Sequence, residues 1–84
     1  MDDLRNAYEE LVVEEDELIQ KIGICEGCVS VIFDYILSNG DTGVQVGESI
    51  LSAVHTIDKD LQTELLHIRL EKGILANRIK LGNR

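Results

Sequence analysis

The sequence predicts an all-α fold, an antiparallel helical hairpin that dimerises into a four-helix bundle. Three observations predict it. Leu4, Tyr8, Leu11, Glu15, Leu18, Ile22, Cys25, Val29, Ile32 and Ile36 follow one another in alternating steps of four and three, the seam spacing of a helix packed lengthwise on another. One strong break, Ser38-Asn39-Gly40-Asp41-Thr42-Gly43, divides the chain near its middle. The apolar surface on either side of that break is too broad for a single partner helix to cover.

Helix 1 is expected over about residues 3–38. Its first half carries a narrow apolar stripe among acids. From Ile22 onward Ile24, Cys28, Val31, Phe33, Tyr35 and Leu37 widen the stripe until most of the circumference is apolar. Gly23 and Gly27 mark the change. A glycine costs about 1 kcal/mol against alanine in a helix interior, so a kink over 23–27 is a reasonable expectation. Cys28–Leu37 is also rich in Val, Ile, Phe and Tyr, which favour strands, and Asn39-Gly40 suits a β-turn. The four-three ladder runs straight through this stretch, so helix is preferred.

A turn is expected over 39–42, where Asn39 and Gly40 accept left-handed backbone and Thr42 with Gln45 fits a capping box. Helix 2 is expected over about 43–81. Its stripe is read as Ile50, Val54, Ile57, Leu61, Leu65, Ile68, Leu75 and Ile79, with a stutter near Leu61. Lys72 sits in a missing rung, and Leu51, Leu66, Leu70, Ile74 and Leu81 form a second apolar face. Residues 2–17 hold eight acids and one base, whereas residues 69–84 hold five bases and one acid. A fold about Gly40 brings these opposite charges together. Val29, Ile32, Phe33, Ile36, Ile50, Val54 and Ile57 are the expected dimer core.

Sixteen acids against eight bases give a net charge of -8, which disfavours contact with nucleic-acid phosphates. Asp2 and Asp3 stand where a signal peptide needs basic residues. The apolar window Leu18–Leu37 is interrupted by Lys21, Glu26 and Asp34, so no membrane span is expected. A cytoplasmic location with reduced thiols follows as the expectation.

Cys25-Glu26-Gly27-Cys28 is the one recognisable motif. A redox pair of this spacing opens a helix after a strand, and here it lies inside the ladder. Cys25, Cys28 and His55 could begin a zinc site, but packing is the preferred reading for Cys25. Glu64 and His67 have the Glu-x-x-His spacing of carboxylate-bridged metal bundles, with Glu15 as the cross-helix carboxylate. The competing and preferred reading pairs Glu15 with Lys72 or Arg69. His55 and His67 are too far apart in sequence to share one turn. Gly40, Gly43 and Gly47 lack the lysine of a phosphate-binding loop. No catalytic set and no cofactor-binding signature emerges.

The functional expectation is therefore a non-enzymatic protein that works by protein–protein interaction. Glu9, Glu10, Glu14, Asp16 and Glu17 are its candidate contact surface for a basic partner, and a second copy is its other partner. A metal-binding bundle and a small-ligand sponge between subunits are the alternatives. In composition alone the chain resembles the short acidic inhibitors encoded by phages and mobile elements. No residue-level motif accompanies that likeness.

Overall fold

The computed structural model describes residues 3–82, which form one helical element, α1, Asp3–Gly82. The all-α expectation holds. The expected antiparallel hairpin of two helices joined by a turn over 39–42 is corrected: the described residues form one continuous helical element, with helix running through those positions and no intervening loop segment. The physical reason is local. Only Gly40, at φ 70 and ψ -158, leaves the helical region of backbone space, so one residue does what a four-residue turn was expected to do.

That one residue reshapes the whole element. Eighty straight helical residues would span about 120 Å, yet the chain measures 64 × 14 × 14 Å. The path bends back at Gly40, and residues 3–39 (the first arm) lie alongside residues 41–82 (the second arm). Glu15, for example, bonds to Arg69 and Lys72. Before the bend, Ser38 Oγ donates to the Asp34 carbonyl at 2.9 Å and Asn39 Nδ2 to the Tyr35 carbonyl at 2.7 Å. Both side chains bond back one turn along the helix, the way Ser and Asn compete with the backbone ladder and loosen it ahead of a bend.

The first arm buries the stripe that its sequence marks. Leu11 and Leu18 are buried, and Tyr8, Glu15, Ile22, Cys25, Val29, Ile32 and Ile36 are half-buried; Leu4 lies outside, more than a third exposed. Helix is unbroken at Gly23 and Gly27, and no atom lies within 4 Å of where a Cβ would stand on either. The close approach occurs instead at Gly47, where a Cβ would run into the Ile36 side chain.

The second arm differs from expectation. Beyond Gly43, its shielded positions are Gly47, Leu51, Val54, Asp58, Leu61, Leu65, Ile68, Lys72, Leu75 and Ile79, an unbroken alternation of four and three from Gly47 onward. Leu51 and Asp58 replace Ile50 and Ile57 in the seam, so the stutter disappears. Of the expected dimer core, Val29, Ile32, Ile36 and Val54 are shielded in the seam, while Phe33, Ile50 and Ile57 are exposed.

Candidate docking faces and the charged seam

The seam holds one charged cluster. Lys72 Nζ donates to Glu15 Oε1 at 2.7 Å, and Arg69 Nε donates to Glu15 Oε2 at 3.1 Å. The Glu15 and Lys72 side chains are only 15% and 22% exposed. Lys72 also stands 5.7 Å from the centre of the Tyr8 ring, within cation–π range. The hydrogen bond from Lys72 first, and that from Arg69 second, hold the Glu15 carboxyl below the usual glutamate range. The same bond to Glu15 raises the Lys72 ammonium above its ordinary value.

This pairing takes Glu15 away from the metal set proposed on spacing. Glu64 and His67 line a different concavity, with Glu14, Glu17, Lys21 and the flanks of Leu18 and Ile68. The cysteine set is likewise not gathered. Cys25 is half-buried in the seam and Cys28 is exposed, both as free thiols. His55 lies at heptad spacing from Gln62 and Arg69, which line a surface hollow with Lys59, on the opposite flank from Cys28. Among the described residues, no three His, Cys, Asp or Glu side chains assemble as a metal site.

The candidate acidic surface divides between the two flanks. Glu14 and Glu17 line the concavity with Glu64, and Glu10 shares their side by helical spacing. Glu9 instead lines an apolar hollow with Arg5, Tyr8, Val12, Val13 and Ile79, and Asp16, seven residues on, follows it. Acids at consecutive positions wrap round a helix, so the run could not have formed one face.

One face was not singled out from sequence. Val31, Ile32, Tyr35 and Ile36 of the first arm and Gly43, Val46, Gly47 and Ile50 of the second enclose an apolar groove of about 240 Å³ beside the bend. Val31 is 68% and Tyr35 70% exposed. Heptad spacing extends this groove in both arms. Ile24, Cys28, Val31 and Tyr35 form one stripe, and Val46, Ile50, Ala53 and Ile57 form the other. The signal was present in the sequence as a second four-three-four stripe displaced from the seam. Farther from the bend, the same side of the molecule becomes the acidic concavity of Glu14, Glu17 and Glu64.

An 18-residue stretch of α1 reaches a mean hydropathy of 1.3 with at most two charged residues, and only 6% of it is buried. By length and composition it is apolar enough to cross a membrane, which corrects the expectation that no such run exists. One stretch of this kind is weak support for any location. No protein-family model, curated protein or solved structure matches the chain.

Proposed function

We propose that the chain is a non-enzymatic binding protein that acts by docking on other protein surfaces. One observation supports this reading above the rest: α1 exposes far more apolar surface than it shelters. Leu11, Leu18 and Leu65 are its buried hydrophobic side chains, whereas sixteen large hydrophobic residues are exposed, Leu37 at 81%. Contiguous apolar surface of this kind on a folded chain marks a place of association. The acidic end of the arms adds a second, charged surface suited to a basic partner.

Capture from a lysate tests the reading. Wild type is compared with an acidic-end variant (E10Q, E14Q and E17Q together) and a bend-end variant (V31K with I50K). Loss of a captured protein in the acidic-end variant, with the same loss in high salt, supports recognition of a basic partner. Capture that neither variant alters would overturn the proposal.

A further inference from the structure

Resting on that reading, we infer that the apolar face beside the bend is covered by a second copy of the chain, the two copies lying antiparallel and overlapping only over their bend-proximal halves. At its centre the face is free of charge: its two stripes are Ile24, Cys28, Val31 and Tyr35, and Val46, Ile50, Ala53 and Ile57. Glu26, Asp34 and Glu48 fall at other positions round the arms, whereas Lys21 and Asp60 continue the two stripes past Ile24 and Ile57. The centre of the face can therefore be covered without desolvating an ion, and charge begins at its rim.

The two stripes are self-complementary about a twofold axis. Arg69 is level with Glu15 across the arms, and the same offset sets Ala53 level with Val31. An axis crossing both arms at that level brings Val31 to the partner's Val31 and Ala53 to the partner's Ala53. It sets Cys28 against the partner's Tyr35 and Ile50 against the partner's Ile57. A large side chain meets a small one on the first arm, and isoleucine meets isoleucine on the second, as an isologous contact requires.

Charge selects the direction. With both bends at one end, Glu10, Glu14, Glu17, Asp60, Glu64 and Glu71 of each copy would crowd one interface, against Lys21 and Arg78 alone. In the antiparallel arrangement Glu17 lies about 21 Å from the axis, at 1.5 Å per residue. The partner's Gly40 ends about 14 Å from the axis, so Glu17, Glu64 and the acids farther out project beyond it into water, and Asp60, about 10 Å out, stands at the rim of the overlap. The overlap is then about 27 Å long and two helices, about 20 Å, wide. Its projected footprint of about 540 Å² approaches the lower bound of stable association, about 600 Å² per partner, before side-chain relief is counted. A lipid surface is the poorer occupant, because inserting the bend end would also bury Glu26, Asp34, Asp41 and Glu48.

Sedimentation equilibrium of the full chain at micromolar concentration tests the inference. The expected mass is twice the 9.4 kDa of one chain. V31K with I50K is expected to raise the dissociation constant by about two orders of magnitude, as charge at the centre of an interface does. F33K, on the other flank, leaves the mass unchanged. Circular dichroism confirms that each variant remains helical. For direction, V31C in a C25A and C28A background is expected to form a disulfide with its own copy on mild oxidation. Cross-linking of V31C to A53C instead would establish the arrangement with both bends together and overturn the antiparallel one. A monomeric wild type overturns the inference outright, while leaving protein capture, and so the proposed function, intact. Flotation with phosphatidylcholine–phosphatidylglycerol vesicles that V31K with I50K abolishes, from a monomeric wild type, would assign the face to lipid.

Discussion

Glu15 is the residue where two chemistries competed. Spacing offered it to a metal with Glu64 and His67; the fold gives both its oxygens to Arg69 and Lys72. The charge asymmetry of the chain ends made that outcome legible, because folding about Gly40 sets the acidic stretch against the basic one. A charged pair in an apolar seam fixes register more than it adds stability. Because the folded carboxyl titrates below its ordinary value, the cluster's contribution is complete above the unfolded glutamate pKa and is lost as pH falls through the folded one. The raised Lys72 group places the opposite limit in the alkaline range: its contribution is complete below the ordinary lysine pKa and is lost as pH rises through the folded one. Thermal midpoints should therefore fall on acidification below about pH 4, and E15Q should flatten that acid dependence. Asp58 is the second polar seam residue. Its Oδ2 accepts from Gln62 Nε2 at 3.3 Å, while its buried Oδ1 has no partner. Asp58→Leu should stabilise the chain by about 1–3 kcal/mol, the penalty of an unpaired buried acceptor, measured by urea unfolding.

Within the helical element, the first arm was readable because every seam position there but Glu15 is apolar, so pattern and burial coincide. The second arm was misread for the opposite reason. Its seam includes Gly47, Asp58 and Lys72, while Ile50 and Ile57, the more apolar neighbours, point away. Hydrophobicity alone then selects the wrong stripe and invents a stutter to connect it. The break itself was legible at Asn39-Gly40, but not that Gly40 alone would suffice. Its φ 70 and ψ -158 lie in a region open essentially to glycine, where another residue costs about 1–3 kcal/mol. Gly40→Ala should accordingly destabilise the bend and favour a straightened helix paired with another chain. Small-angle scattering would show particles longer than those of the wild type, approaching about 120 Å, the length of eighty straight helical residues. The other glycines separate by space. Gly23→Ala and Gly27→Ala meet nothing within 4 Å and should each stabilise by about 0.5–1 kcal/mol. Gly47→Leu must displace Ile36 and should cost about 1–3 kcal/mol, read from the same urea transitions.

For the molecule as a whole, polarity is arranged lengthwise. One side is apolar beside the bend and acidic toward the chain ends, and the seam between the arms encloses only three buried hydrophobic side chains. A core so small rarely sustains a chain of this length alone. Composition foretold the surplus of apolar surface but not its position, because which residues face outward is decided only once the seam takes Leu51 and Asp58. If association supplies part of the missing burial, stability becomes a function of protein concentration, since a partner that binds only the folded chain shifts unfolding by mass action. The unfolding midpoint of the wild type should therefore rise steadily across a hundredfold concentration series. V31K with I50K, with no copy to bind, should unfold at one lower temperature throughout the series. Added salt should change the wild-type midpoint little, because the overlap carries no ion at its centre, only Asp60 at each rim, and the acidic ends of the two copies lie beyond it, farther apart than the Debye length of about 8 Å at physiological ionic strength. A midpoint independent of concentration would show that the two arms alone account for the fold.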